Sequence, residues 1–180
     1  MFCLTVDDDL KLCLLEERHA AALFELVDKN RRHLRQWLPW VDLTTAVDDS
    51  QAFIQSALQQ FANNEGFQTA LFYQGQLVGM VGYHPIDWPN RSVEIGYWIA
   101  ADFQGRGLVT RASHFLVDYA FNQLELNRVV IRCAEGNSRS AVIPKRLGFI
   151  QEGVFRQHQA HYNQFVDLIV FSMLAEEWAG

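Results

Sequence analysis

Asp102-Phe103-Gln104-Gly105-Arg106-Gly107-Leu108-Val109-Thr110 separates an apolar, β-prone run, Val93 to Ala100, from an amphipathic segment that keeps a helical period to about Leu124. A strand that turns through glycines into a helix start aims several backbone N–H groups at one point. Helix geometry leaves those donors unpaired, and the helix dipole adds to their pull on negative charge. Gly105 and Gly107 lack a Cβ, so a phosphate can come close to the main chain. The stretch reads as a pyrophosphate cradle; a tight turn without a ligand is the other reading. Its spacing fits neither the P-loop nor the dinucleotide fingerprint with a downstream ribose-binding acid.

Outward from this loop, the pattern predicts a first strand near residues 10–15 and a helix from Glu16 to Leu38, with Leu23, Val27, Leu34 and Leu38 on one face and Pro39 at its exit. Thr45 and Asp48 resemble a capping box for a second helix carrying Phe53, Ala57 and Phe61. Phe67–Tyr73 and Leu77–His84 form a hairpin across Gln74-Gly75, and Val93–Ala100 the next strand. After the loop helix come a strand at Arg128–Ala134, a short helix at Ser138–Leu147, and strands at Phe149–Phe155 and Phe165–Leu174. This order predicts an α/β fold with a mixed sheet in one domain over residues 1–180. The helix after Gly107 must join neighbouring parallel strands.

Composition narrows the class. Hydrophobic content of 49% and charged content of 20% are those of a soluble globular chain. No apolar run approaches the ~20 residues of a membrane helix, and the N-terminus lacks a signal-peptide pattern. A cytoplasmic protein without membrane partners is expected. The three cysteines, Cys3, Cys13 and Cys133, are scattered and odd in number, which argues against a disulfide framework or a metal site. The net charge of −6 disfavours nucleic acid as a partner. The acidic spots, including Asp7 to Asp9, read as solvated ends of elements.

The chain resembles the GCN5-related N-acetyltransferase (GNAT) superfamily on four separated blocks. Gln104-Gly105-Arg106-Gly107 is similar to the family's coenzyme A pyrophosphate loop, although Val109 stands where Gly or Ala is usual. Asn137-Ser138-Arg139-Ser140 with Pro144 to Phe149 and Glu152-Gly153, Glu94 to Trp98, and Trp37 to Trp40 resemble the RimJ/RimL-type branch, which acetylates N-termini of ribosomal proteins. The resemblance implies a mostly antiparallel central sheet flanked by helices, with a V-shaped splay between two central parallel strands. It implies acetyl-CoA as cosubstrate and direct attack of an amine on the thioester. The acceptor would be a protein N-terminus, or else a small amine such as a polyamine, amino acid or antibiotic. A non-catalytic acyl-CoA-binding module is the reading from another class.

The same resemblance assigns residues. Trp98, Ile99 and Ala100 would lie along the pantetheine arm, and Gln104, Gly105, Arg106, Gly107, Leu108, Val109 and Thr110 would form the diphosphate loop. Asn137 offers a donor and an acceptor to a pantetheine amide, or is a plain turn residue. Arg106, Arg111 and Arg139 are candidates for phosphate contact. An α-amine with pKa near 7.7–8.0 needs only a modest base, whereas a lysine at ~10.4 would demand roughly 4–5 kcal/mol of deprotonation. Glu94 is the candidate base, with a charge pair to Arg91 as its other reading. The position of the family's usual proton-donating tyrosine is Pro144, which leaves Ser140 as donor to the thiolate, unless it bonds its own backbone. His84, His158 and His161 could also titrate near neutrality. The polar stretch Arg156 to Gln164 would cover the acceptor pocket, with Trp40, Tyr83, Trp88 and Tyr162 in its walls and Trp37 in the core. The aromatic C-terminal strand could support a homodimer.

Overall fold

The computed structural model describes residues 1–179. Its strands are β1 (Cys3–Thr5), β2 (Leu10–Leu14), β3 (Gln68–Tyr73), β4 (Gln76–Tyr83), β5 (Ser92–Ile99), β6 (Arg128–Ala134), β7 (Ile150–His161) and β8 (Gln164–Leu174). They form one sheet in the order β1-β2-β3-β4-β5-β6-β8-β7. The β5–β6 pair is parallel and the other neighbours are antiparallel. The helices are α1 (Ala20–Lys29), α2 (Arg31–Leu34), α3 (Val47–Ala62), α4 (Leu108–Asn122) and α5 (Ser138–Arg146). No helix among the described residues is long and apolar enough to cross a membrane.

The sheet buries both faces, and the two coverings differ. Behind it, α4 turns Leu108, Ala112, Leu116 and Ala120 onto Val93, Ile95, Val129 and Ile131 in the main core. This is the stripe that a 3.6-residue period produces, and each fully buried leucine or isoleucine contributes roughly 1.5–3 kcal/mol. Tyr83, fully buried, donates its hydroxyl to the Leu116 carbonyl and so ties β4 to α4. In front, a smaller cluster joins Leu23 of α1 and Ile54 of α3 to Ala70 and Met80.

Several expected elements come out differently. The long N-terminal helix breaks at Asn30, whose φ of −104° and ψ of 8° leave the helical region. Its amide nitrogen caps the Leu26 carbonyl, while its side-chain oxygen accepts from Ala101 N–H at 2.9 Å. The break therefore pins α1 and α2 to the exit of β5. The cap of α3 is Asp49 rather than Asp48: its carboxylate accepts from the N–H groups of Thr45 and Ala46. The buried face of α3 carries Ser50, Ile54 and Ala57, leaving Phe53 and Phe61 exposed.

At the N-terminus, strand β1 was not expected. Its antiparallel register sets Cys3 opposite Cys13, and the two form a disulfide. The expectation that the scattered cysteines form no disulfide is thus corrected; the strand pairing brings these two together. Asp7 and Asp9 likewise are not solvated ends, because both bind Arg111 of α4. The stretch Arg156 to Gln164 is mostly a continuation of β7 into its hairpin with β8, and its His158 and Gln159 line the larger cavity described below.

Candidate active site

The gap at the centre of the sheet organises the site. Strands β5 and β6 pair only at Ser92–Arg128, Val93–Val129 and Glu94–Val130, and beyond that they diverge. The other edge of β5 stays hydrogen-bonded to β4 as far as Ile99. Ala100 N–H goes to Val78, and Glu94 C=O accepts from His84, both on the β4 side. Successive residues of a strand direct their backbone groups to opposite edges. The main-chain groups of Tyr97 and Ile99 therefore face the gap, and those of Trp98 and Ala100 do not. Of the three residues expected along the pantetheine arm, Ile99 turns its backbone groups to the gap, Trp98 and Ile99 line the smaller cavity, and Ala100 is buried.

Two cavities meet at this gap. One, of about 420 Å³, runs from His33, Trp37 and Gln104 past Tyr97, Trp98 and Ile99 to Gly136–Ser140. The other, of about 880 Å³, opens on the front face between α3, the sheet and the β6–β8–β7 wall. Trp37, Leu38, Tyr97, Trp98, Asn137 and Ser140 line both. Trp37, expected in the core, is part of this junction.

At the outer end of the smaller cavity, Gly105 and Gly107 take φ of +74° and +73°, and a Cβ on either would meet nothing within 4 Å. The turn is thus a bare, left-handed entry to α4, open in front of its unpaired N–H groups. Leu108 and Val109 are buried in the main core, and Val109 also lines the smaller cavity. Thr110 follows in the first turn of α4, half-buried. Gln104 is held between His33 at 3.0 Å and the Arg139 guanidinium. Burial, reinforced by the charge of Arg139, lowers the affinity of His33 for a proton, and a bond to the Ile99 backbone partly offsets this. Arg106 folds back over the Phe103 ring, and Arg111 is consumed by Asp7 and Asp9. Of the three candidate arginines, Arg139 is the one lining the cavity.

Asn137 is the N-cap of α5, its side-chain oxygen accepting from Ser140 N–H at 3.2 Å. Ser140 does not bond its own backbone through its hydroxyl. It donates to the Tyr97 hydroxyl at 3.3 Å, while Tyr97 donates to the Ser140 carbonyl at 3.1 Å. Burial pushes the Tyr97 phenol well above its ordinary pKa, so it stays protonated. Burial also raises the thiol of Cys133, with Lys145 and Ser140 acting in the opposite direction. The sequence offered Tyr97 only as a strand residue; its parity with the core residues Val93 and Ile95 was the available signal that it points toward α5.

On the acceptor side, Glu94 is not paired with Arg91, which bonds the Glu125 carbonyl. It pairs instead with Arg132 across the splay. The same guanidinium reaches His158 Nε2 at 3.2 Å. His158 gets there because β7 slips register between Phe155 and Gln159, a bulge fastened by Asp167 accepting from Gln157 N–H at 2.7 Å. Bulges beside sites commonly re-aim a side chain in this way. Trp40 and Phe53 line the opposite wall. Tyr83 and Trp88 do not belong to it: the first is in the core, and the second donates to Asn64 outside the cavity. Tyr162, at the β7–β8 hairpin, donates to the Arg35 carbonyl at 2.9 Å, clasping the hairpin to the α2 end.

The relatives of the chain agree with this geometry. A family model described as an acetyltransferase (GNAT) domain matches residues 9–150. The putative ribosomal N-acetyltransferase YdaF of Bacillus subtilis (strain 168) is 39% identical over 181 residues, covering 100% of this chain and 99% of its own. Among solved structures, the ribosomal-protein α-N-acetyltransferase RimL in complex with coenzyme A superposes with a TM-score of 0.92 at 25% identity, over 96% of this chain and 98% of that one. The microcin C7 self-immunity acetyltransferase MccE, in complex with acetyl-CoA and AMP, gives 0.90 at 27% identity over 94% of each. The open glycine turn, the splayed strands and the narrow cavity fit the same cosubstrate. The chain belongs to the GNAT acetyltransferase family, in its RimJ/RimL-type branch, and is an acetyl-CoA-dependent N-acetyltransferase.

Proposed function

We propose that the acceptor is the α-amine of a protein N-terminus, of the ribosomal kind that the relatives' names specify. The observation that carries this is the state of the carboxylates in the larger cavity. Its two acidic side chains, Asp49 and Glu94, are already engaged, one capping α3 and the other binding Arg132. A polyamine would need several unpaired carboxylates and would meet the Arg132 charge instead. A peptide end brings one amine, already partly neutral at pH 7, and carbonyl groups that a guanidinium can bind.

The coenzyme would supply the acetyl thioester. Gly105, Gly107, the α4 N-terminus and Arg139 would hold its diphosphate. Tyr97 and Ile99 would offer backbone groups to its arm, and Asn137 its remaining amide donors. At the junction, Ser140 would turn its hydroxyl from Tyr97 to the leaving sulfur. A thiol has a pKa near 8.5, far below that of a hydroxyl, so a hydrogen bond to the thiolate is sufficient and full proton transfer from Ser140 is unnecessary. Glu94 would orient Arg132 and the incoming amine. Chemistry of this kind in an aqueous compartment such as the cytoplasm needs no membrane or nucleic-acid partner.

The test is incubation with acetyl-CoA and a panel of Ser- and Ala-starting peptides, polyamines, amino acids and aminoglycosides, following release of free thiol. Turnover with the peptides alone is expected. Faster turnover with a polyamine would replace the peptide reading, and coenzyme binding without turnover on any amine would support the binding-module alternative.

A further inference from the structure

We propose that His84 is the general base that takes the proton from the attacking amine, a reading that rests on the acetyl-transfer site described above. Strand pairing places it: Tyr83 lies opposite Ile95 and Gly82 opposite Gly96, so His84 follows at the level of Glu94. Tyr83 and Ile95 are core residues, and the next positions along each strand face the acceptor cavity. The His84 ring lies directly over Gly96. Its Nε2 is 2.7 Å from where a Cβ on Gly96 would stand. Gly96 lies on β5 just beyond the last β5–β6 pair, at Glu94, so it marks the start of the splay. The absence of a side chain there is what lets an imidazole rest against the strand at that point.

The other candidates in the cavity are occupied. Arg132 holds both the Glu94 carboxylate and His158 Nε2, and Asp49 caps α3. His84 makes no side-chain hydrogen bond among the described residues, and its ring is open to the cavity mouth. The titratable or charged side chains facing the same space are Asp49 from α3, Glu94 and Tyr97 from β5, Arg132 and Cys133 from β6, Ser140's neighbourhood on α5 contributing none, and His158 from β7. Glu65 sits on the nearby turn after α3. An unprotonated imidazole nitrogen with no hydrogen-bond partner is free to accept a proton. As the nitrogen–carbon bond forms, the amine proton passes to His84. The carbon–sulfur bond breaks, the thiolate is held by Ser140 and takes a proton from water, and His84 releases its proton to solvent through the open mouth. His84 and Ser140 both line the larger cavity, Ser140 where it meets the smaller one.

The experiment uses whichever amine the panel shows to be turned over, so an unexpected acceptor would remove the peptide reading without touching this one. His84→Ala is expected to lower kcat/KM by on the order of 10²-fold or more at pH 7, with unchanged acetyl-CoA affinity and unchanged Tm. With a hydrazide acceptor, which is neutral across the range so that the acceptor's own ionisation drops out, the acid limb of the kcat/KM profile should vanish in this variant. The defect should persist with a hydrazide acceptor, whose nitrogen is already neutral at that pH but still has a proton to lose as the bond forms. Gly96→Ala, which keeps the imidazole but pushes it off the strand, should show the same kinetic defect. Glu94→Gln should keep the acid limb. A His84→Ala enzyme within twofold of the wild type, or one whose acid limb persists while that of Glu94→Gln disappears, would overturn the proposal.

Discussion

The coenzyme half of the cleft is made largely of backbone, and the acceptor half is made of side chains. On one side stand the α4 N-terminus, two glycines in left-handed conformation and the free edge of β5. On the other, Trp40, Phe53, His84, Glu94, Arg132 and His158 converge from separate helices, strands and one bulge. A backbone site tolerates many side chains around it but depends on a few main-chain angles. A side-chain site depends on every element that brings a residue to it. The two halves should therefore fail differently when altered.

The largest effect is expected at Gly107. Glutamate there would be forced to a φ of +73° at the mouth of α4 and would set a carboxylate where diphosphate charge is to be held. Coenzyme A affinity, measured by calorimetry, should fall by about 100-fold or more, the equivalent of roughly 2.7 kcal/mol. The acceptor half should be untouched, as judged by overall Tm within a few degrees. Affinity within twofold of the wild type would mean that the turn does not bind the cosubstrate.

Next comes the junction. Ser140→Ala removes a hydrogen bond to a developing charge, worth about 1.5–3 kcal/mol, so kcat should fall roughly 10- to 100-fold with the coenzyme Kd unchanged. Tyr97→Phe removes the partner that positions Ser140 and should cost less, about 2- to 10-fold in kcat. A Ser140→Ala loss that appears wholly in Kd would move Ser140 from the chemistry to coenzyme binding.

The same contrast explains what could be read from residues alone. The glycine turn, α4 and the parallel β5–β6 pair were legible because each follows from a local pattern: a missing Cβ, a helical period, a helical crossover; Asn137 was read as an amide contact or a turn residue, and its capping of α5 was not. The Glu94–Arg132 pair was not, since residues 38 positions apart meet only through strand register. Nor was the Cys3–Cys13 bond, which depends on a three-residue edge strand. The placing of His158 turns on a bulge fixed by Asp167, and that of Tyr97 on strand parity at a gap. Asn30 broke an apparently continuous helix because its side chain found better partners in Leu26 and Ala101 than the helix offered.

A smaller effect should separate the halves again at Asp49. Alanine there removes the acceptor for the Thr45 and Ala46 N–H groups at the start of α3, lowering Tm by about 2–4 °C. Because α3 walls only the acceptor cavity, KM for the amine should rise while coenzyme affinity holds. Equal losses in both would show that α3 supports the whole cleft.

The smallest effect concerns the outer wall of the acceptor half, where Arg128 of β6 grips Glu152 in the first bulge of β7. The Arg128 hydrogen bonds, aided by Ser172, pull the Glu152 carboxyl down to about 2. A depressed folded-state value means that the stabilisation is fully present above the ordinary glutamate value of 4.5 and is lost as pH falls from there toward 2. The Glu152 side chain is 41% exposed, so solvent screening reduces the contribution to about 0.5–1 kcal/mol. Glu152→Gln should therefore lower Tm by about 1–4 °C at pH 7 and flatten the decline of Tm between pH 4.5 and 3 relative to the wild type. Coenzyme affinity should not change, since no part of the diphosphate turn touches this pair; a change would mean that the two halves are coupled through β6.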